Sequence, residues 1–195
     1  MVTKTRDKLI EVARQLFAYK GIENTTMNDI ANASEKGRRT VYTYFRNKRE
    51  IYDAVIERES EQLVQRLREI VELEIEPVDK LRRYLLTRFE IVDETIHRQD
   101  SSLRSFFRGD FRRIDRIRRL AVSKERELFD SIINEGVNSG VFDSKQAEHI
   151  LAMETIVFQG VDYTHLRNNF SQIKLTPERL RLSVVEFMVN GILIK

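Results

Sequence analysis

One stretch constrains the fold of this chain more than any other: residues 38–50, with the sequence RRTVYTYFRNKRE. Its pattern predicts a short helix, a break and the start of a second helix. At about 100° per residue, Val41 and Phe45 fall on one side of the short helix. Arg39 and Thr43 fall on the opposite side. The sequence therefore predicts a helix with an apolar back and a polar, cationic front.

The second helix of this stretch has its own start signal. Asn47 and Glu50 have the spacing of a capping box, so this helix is expected to begin at Lys48. The free N–H groups of a helix start, next to a lysine, can hold a phosphate oxygen. A helix that exposes Arg and Thr beside such a site is typical of a device that enters a DNA groove.

The residues before this stretch predict two supporting helices. Apolar residues recur at spacings of three and four over residues 5–20, and Gly21 follows as a C-cap. Thr26 and Asp29 form a second capping box, which opens a short helix. Residues 34–37 then serve as a turn. Helix, short helix, turn and short helix is the layout of a helix-turn-helix motif with one supporting helix in front.

Three pieces of this region resemble a known family. They are Gly21, the run TTMNDIA at residues 25–31 and the run TVYTYFRNK at residues 40–48. In these residues the chain resembles the N-terminal DNA-binding domain of the tetracycline-repressor (TetR) family of bacterial transcriptional regulators. The resemblance implies a DNA-binding head on a larger helical body.

Two features depart from the family pattern. The turn reads SEKG where the family usually has AGVS, so Glu35 stands where a glycine commonly takes the left-handed conformation. A non-glycine residue there costs on the order of 1 kcal/mol, and Gly37 is expected either to absorb the strain or to cap the next helix. Arg39 replaces a small residue on the groove-facing side. The base preference therefore does not carry over from relatives.

Roles at the DNA follow partly from the resemblance. It implies phosphate contacts from Thr26, Tyr44 and Lys48, and it leaves the exposed side of the recognition helix for the bases. An arginine can bind guanine in bidentate fashion, and a threonine methyl can meet a thymine methyl. Arg38 either reads a base or touches only the DNA backbone, and Tyr42 is either packing or a DNA contact. The predicted DNA-binding residues are Thr26, Arg38, Arg39, Thr40, Tyr42, Thr43, Tyr44 and Lys48.

The charge of the chain is unevenly distributed. Residues 1–48 contain ten Lys or Arg and five Asp or Glu, a net charge of +5, whereas the whole chain carries +3 and the remainder therefore −2. Such an asymmetry indicates that the N-terminal end faces a polyanion. With only two prolines and seven glycines, the chain is expected to be all-α.

Residues 49–195 are expected to form a ligand-binding and dimerisation domain. A long helix from Lys48 to about residue 73 is expected to connect it to the DNA-binding domain, residues 1–48 with the start of this helix. Pro77 and Pro177 mark the first positions of later helices. We expect about nine helices in total, in a three-helix N-terminal domain and a larger C-terminal bundle.

A stretch rich in arginine and phenylalanine, residues 102–119, raises the possibility of a ligand site. A pocket for an anionic, partly apolar effector would need such a mixture. The alternative, which we favour for this stretch, is that the phenylalanines are core and the arginines cover a surface. The candidate pocket residues are Phe89, Phe106, Phe107 and Phe111.

The last two long helices carry more apolar surface than one face needs, and Gly160 permits close approach of another helix. The family resemblance implies that these helices form a four-helix bundle with those of a second subunit. Alternatively, they close the core of a single chain. The candidate dimer residues are Ile156, Gly160, Val184, Phe187 and Met188.

Signals of catalysis or cofactor binding are absent from the sequence. There is no cysteine, and His97, His149 and His165 are too far apart for a metal-ligand motif. No phosphate-binding loop, dinucleotide motif or nucleophile elbow is present. No signal peptide or run of about 20 apolar residues occurs. We therefore expect a cytoplasmic protein that is not an enzyme and needs no cofactor or metal.

Together these patterns predict a homodimeric, ligand-responsive transcriptional regulator, with a repressor favoured. Its partners would be double-stranded DNA with a palindromic operator and a small-molecule effector of unknown identity. An activator on the same fold is one alternative. A helical interaction module whose basic end binds an acidic protein is another.

Overall fold

The computed structural model of the chain describes residues 2–98, 111–167 and 170–194. The described residues form helices joined by short loops, and their β pairing is limited to an isolated bridge between Phe142 and Leu193. The prediction of an all-α fold is confirmed. Among the described helices, none has an apolar segment long enough to cross a membrane. The helices are α1 Val2–Lys20, α2 Met27–Ala33, α3 Arg38–Tyr44, α4 Lys48–Val71, α5 Pro77–Arg98, α6 Phe111–Asn138, α7 Ser144–Arg167, α8 Phe170–Ile173 and α9 Pro177–Ile192.

Helix ends in the C-terminal part follow local chemistry. Gly140, with a φ of 74°, lies in the turn after α6. The carboxylate of Asp143 accepts the N–H of Gln146 at 2.9 Å and so caps the start of α7. Thr176 caps α9, and Pro177 occupies the first helical position, where no intrahelical N–H is needed. The start of α9 at Pro177 was predicted from the sequence and is confirmed.

The chain divides into two compact units. The first contains Met1–Glu61 and Ile96–Arg119, and the second contains Gln62–Thr95 and Leu120–Lys195. Helix α4 contributes to both units, because the division falls after Glu61.

The first unit is held by an apolar core that draws on all of its first four helices. Phe17 of α1 and Tyr52 of α4 meet edge to face, with ring centroids 6.0 Å apart. Ile117, near the start of α6, packs against the same core. Burial of each large apolar side chain stabilises the unit by about 1.5–3 kcal/mol. The buried members are Leu9, Ile10, Ala13, Phe17, Ile22, Ile30, Ala31, Val41, Phe45, Ile51, Tyr52, Ala54, Val55 and Ile56.

The second unit has a separate, aromatic-rich core. Phe158 of α7 packs edge to face on Phe89 of α5 and on Phe129 of α6, at centroid distances of 5.5 and 5.6 Å. Phe142 lies so close to Gly136 that a Cβ at this glycine would overlap its ring. This contact fixes the loop between α6 and α7. The fully buried side chains of this core include Leu67, Leu81, Tyr84, Leu85, Phe89, Phe129, Ile132, Ile133, Val189 and Ile192.

Candidate nucleic-acid interface

The start of α2 is fixed by a reciprocal cap. The backbone N–H of Thr26 donates to the Asp29 carboxylate at 2.7 Å, and the Thr26 hydroxyl accepts the N–H of Asp29 at 3.1 Å. The ammonium of Lys20 lies 2.8 Å from the same carboxylate. Hydrogen bonds from Lys20 and Thr26 hold the pKa of Asp29 below its ordinary value. The cap is therefore intact at neutral pH and is lost only as the pH falls through that lowered pKa.

The turn between α2 and α3 contains a left-handed residue. Glu35 has a φ of 56°, in the region that glycine adopts without cost. Its N–H donates to Asn32 O at 3.1 Å, and the N–H of Lys36 donates to Ala31 O at 3.0 Å, which closes the end of α2. Gly37 has a φ of −62° and is the N-cap of α3. Of the two roles predicted for Gly37, capping is the one observed, and Glu35 itself takes the unfavourable conformation.

We expect Glu35→Gly to raise the free energy of unfolding by about 1 kcal/mol relative to Glu35→Ala, because an alanine keeps the left-handed strain that a glycine relieves. Alanine is the matched control, since both variants remove the exposed ion pair between Glu35 and Lys8 at 3.2 Å. Urea unfolding followed by circular dichroism measures the difference. Equal stabilities for the two variants would show that the turn stores no strain.

The recognition helix α3 has the two sides that the sequence predicts. Val41 is 0% exposed and Phe45, just after the helix, is 4% exposed, and both belong to the core of the first unit. Arg39 and Thr43 are exposed on the other side. The hydroxyl of Thr43 donates to Arg39 O at 3.0 Å, which holds this side chain against its own helix. The exposed side of α3 thus carries the side chains of Arg39 and Thr43.

Arg38 and Tyr42, one turn apart on α3, form a stacked pair. The Arg38 guanidinium carbon lies 5.6 Å from the centroid of the Tyr42 ring, and both residues are exposed. A ring at this distance attracts a guanidinium and limits its orientations. Tyr42 is therefore neither buried packing nor an isolated aromatic residue. It positions Arg38.

Lys48 has a structural contact that its sequence position did not predict. Its ammonium donates to Ile22 O at 2.5 Å and to Glu23 O at 3.2 Å, so it ties the start of α4 to the loop before α2. Asn47 caps α4 by accepting the N–H of Glu50 at 3.0 Å, as predicted. A phosphate contact by Lys48 stays a prediction, but the side chain also holds the first unit together.

The other predicted DNA-binding residues lie around α3. Thr26 is exposed at the start of α2, and Thr40 is half-buried on the flank of α3. Tyr44 is also half-buried and packs against the core of the first unit. The predicted set is therefore brought together on one unit, at the starts of α2 and α4 and along α3.

The predicted pocket residues are less well placed. Phe89 is 0% exposed and is part of the aromatic core of the second unit. Phe106 and Phe107 lie outside the described residues. Phe111 is the first residue of α6, and its side chain is not among those described. The prediction of a pocket with these walls stays a prediction.

The predicted dimer residues divide into two groups. Ile156 is 72% and Phe187 69% exposed, and Gly160 has open space at its Cβ position. Met188, in contrast, is 3% exposed and lies in the core of its own subunit, and Val184 is half-buried against that core. Of the predicted residues on α9, Phe187 is exposed, whereas Met188 lies on the side that faces inward. The dimer interface itself stays a prediction.

A buried charged cluster was missed altogether by the sequence reasoning. Arg88 of α5 donates to both carboxylate oxygens of Asp162 on α7, at 2.7 and 2.8 Å, and to Glu125 of α6 at 3.3 Å. The Arg88 and Glu125 side chains are 4% and 3% exposed. The Arg88 guanidinium also lies 4.3 Å from the centroid of the Phe158 ring. Glu125 and Asp162 lie 37 and 74 residues from Arg88 along the chain, so no local sequence pattern could predict these contacts.

The acidic neighbours of Arg88 offset the effect of burial on its charge. Burial by itself lowers the pKa of Arg88, but the charge and hydrogen bonds of Asp162, together with Glu125, raise it above its ordinary value. Glu154 of α7, which is 4% exposed, is a nearby acid whose pKa is raised by burial. A guanidinium with two partner carboxylates therefore sits inside an apolar core.

The geometry of the first unit defines a class of protein. In this unit a capped helix and a tight turn precede a short helix. The short helix is anchored by its apolar side and exposes Arg and Thr on the other side. This arrangement is the helix-turn-helix motif of DNA-binding proteins. Comparison with known proteins agrees. Residues 9–55 match the family model described as bacterial regulatory proteins, tetR family.

Similarity to individual proteins extends beyond this region. The HTH-type transcriptional repressor KstR2 of Mycobacterium tuberculosis is 26% identical over 145 residues, which span 72% of this chain and 70% of that protein. The fatty acid metabolism regulator protein of Bacillus subtilis is 22% identical over 189 residues, 95% of this chain and 94% of that protein. The solved structure of FadR from Bacillus subtilis in complex with stearoyl-CoA has a TM-score of 0.66 at 20% identity, covering 94% of this chain and 97% of that one. Residues 9–55 therefore carry the DNA-binding domain of the tetR family, in a chain that is similar over most of its length to a transcriptional repressor.

Proposed function

We propose that this protein is a ligand-responsive repressor that acts as a homodimer on a palindromic operator, in the cytoplasm and without a catalytic role. The supporting observation is the surface of α3, where Arg39 and Thr43 are exposed while Val41 and Phe45 anchor the helix. Residues 1–48 read DNA, and residues 49–195 bind the effector and dimerise. Two copies of α3, related by a two-fold axis, enter successive major grooves about 34 Å apart or somewhat more.

Contacts divide by chemistry. Arg39, Thr43 and the Arg38–Tyr42 pair face the bases, because they are exposed on α3. Thr26, Tyr44 and Lys48 lie at the edges of this surface and contact phosphates, which positions the protein without specifying sequence.

A salt titration tests whether duplex DNA is the partner. The logarithm of the binding constant is expected to fall linearly with the logarithm of salt concentration, with a slope of about −0.9 for each phosphate neutralised. Fluorescence anisotropy with a labelled duplex from the DNA upstream of the coding region supplies the measurement. Binding that does not change with salt concentration would argue against phosphate contacts. It would favour a protein as the partner of the basic N-terminal region.

Arg39→Ala is expected to cost about 1–3 kcal/mol of binding free energy on the operator and little on random DNA, because a bidentate contact to guanine carries sequence information. Arg46→Ala is the matched control. It removes an exposed cation that lies after α3, so it is expected to weaken binding to both duplexes alike. Equal losses on both duplexes for Arg39→Ala would make it a phosphate contact instead.

Dimerisation through α7 and α9 is supported by their exposed apolar residues. Ile156 and Phe187 expose 72% and 69% of their surfaces, and Met153 and Tyr163 on α7 are also exposed. Gly160 leaves room for a helix of the partner to approach. An exposed set of this size marks an interaction surface, and a second copy of the same two helices is its self-complementary partner.

The effector is proposed to be a molecule with a large apolar body. The similar protein of Bacillus subtilis is named a fatty acid metabolism regulator, and the solved FadR structure holds stearoyl-CoA. Release of DNA follows if the effector binds better to the conformation that spaces the two recognition helices wrongly.

A further inference from the structure

The buried cluster of the second unit is asymmetric in its access to solvent. The side chains of Arg88 and Glu125 are 4% and 3% exposed, whereas that of Asp162 is 13% exposed. Asp162 therefore lies at the rim of the cluster. If it leaves Arg88, it can regain water without crossing the core, whereas Glu125 cannot.

The charge balance also favours an exchange at Arg88. Loss of Asp162 leaves the guanidinium with Glu125 alone, so two paired donors become available at the position that Asp162 occupied. An incoming carboxylate restores the same bidentate geometry and the same charge. Arginine stays protonated at every physiological pH, so the site selects an anion under all conditions.

Two phenylalanine rings lie beside Arg88. Its guanidinium lies 4.3 Å from the ring centroid of Phe158 and 5.4 Å from that of Phe89. A ligand whose carboxylate reaches Arg88 must place the atoms next to it against these rings. This favours an apolar body over a sugar or a nucleotide.

We propose that Arg88 binds the carboxylate of an aliphatic carboxylic acid, which displaces Asp162. This inference rests on the proposed function, since it names the chemical class of the effector. Displacement breaks the link between α5 and α7. Because α7 also carries Ile156 and Gly160 of the proposed dimer surface, the link connects effector binding to the geometry of the dimer.

Calorimetric titration of the full chain with laurate and with dodecanol tests the proposal, since the two probes differ only at the head group. Laurate is expected to bind at least about tenfold more tightly, because a charged partner of Arg88 replaces a neutral one. Asp162→Asn weakens the competitor while Glu125 still neutralises Arg88. It is expected to tighten laurate binding and to leave dodecanol unchanged.

Two further variants complete the experiment. Arg88→Gln combined with Glu125→Gln removes the buried guanidinium together with its buried partner, and it is expected to abolish the preference for laurate. Arg82→Gln is the matched control, because Arg82 pairs with Glu186 at the surface of the same unit. It is expected to leave both affinities unchanged. If Asp162→Asn does not fold, the proposal is tested by the laurate preference of the Arg88→Gln, Glu125→Gln double variant.

Three results would overturn the proposal: no laurate binding, equal affinities for laurate and dodecanol, or a preference for laurate that survives in the double variant. The same preparations are assayed for salt-dependent binding to operator DNA. If they bind DNA but fail the laurate test, only the assignment of Arg88 is lost. If they do not bind DNA, the proposed function fails independently.

Discussion

Arg88→Leu is expected to lower the free energy of unfolding by about 3–5 kcal/mol, which is the usual cost of removing one partner of a buried ion pair. The substitution leaves Glu125, 3% exposed, with its charge in the apolar core and without the guanidinium that now binds it. It also removes the link from α5 to Asp162 on α7. Urea unfolding of the full chain measures this loss in the free energy of unfolding.

The matched control for Arg88→Leu is Arg82→Leu. Arg82 is on the same helix and also pairs with a glutamate, Glu186, but the Arg82 side chain is 35% exposed. A pair of this kind contributes about 0–1 kcal/mol. Replacing Arg88 and Glu125 together by leucine is expected to recover part of the stability, because no deeply buried charge is then left unpaired. If Arg88→Leu costs no more than Arg82→Leu, the cluster does not stabilise the unit.

Phe187→Asp is expected to convert the dimer to a monomer and to weaken operator binding by two orders of magnitude or more. Phe187 is 69% exposed on α9. A buried aromatic side chain at the centre of an interface contributes about 2–4 kcal/mol, and an unpaired carboxylate in its place adds a desolvation cost. Because both subunits carry the change, its effect on a two-fold interface is doubled. Sedimentation equilibrium measures the mass, and anisotropy measures operator binding.

Leu120→Asp is the control for Phe187→Asp. Leu120 is 67% exposed, almost the same fraction, but it lies on α6 and outside the proposed interface. It is expected to leave the mass and the DNA affinity unchanged. A monomeric native protein would refute the proposed dimer, and a Phe187→Asp variant that stays dimeric would place the dimer contact elsewhere.

Short-range signals in the sequence predicted the local structure well. The capping pairs at Thr26 and Asn47 and the inward side of α3 depend on residues within a few positions of one another. At that range the chemistry of a residue and the backbone conformation are closely coupled. The sequence alone is therefore sufficient to propose the DNA-reading surface.

Long-range contacts could not be predicted in this way. Arg88 finds its partners 37 and 74 residues away, and Lys48 finds a carbonyl 26 residues away. Met188 was assigned to the dimer surface because apolar residues of α9 look alike in sequence, whereas packing decides which side of the helix faces inward. Such contacts depend on how whole helices are arranged.

The contact of Lys48 with the carbonyls of Ile22 and Glu23 limits where the DNA-binding unit can be cut for transfer to another protein. A chimaera that joins residues 1–47 to the ligand-binding domain of another protein loses this contact. It also discards Ile51, Tyr52 and Val55, which belong to the buried core of the first unit. The first unit extends along α4 to Glu61 and also includes Ile96–Arg119, so a transplanted DNA-binding unit needs both segments.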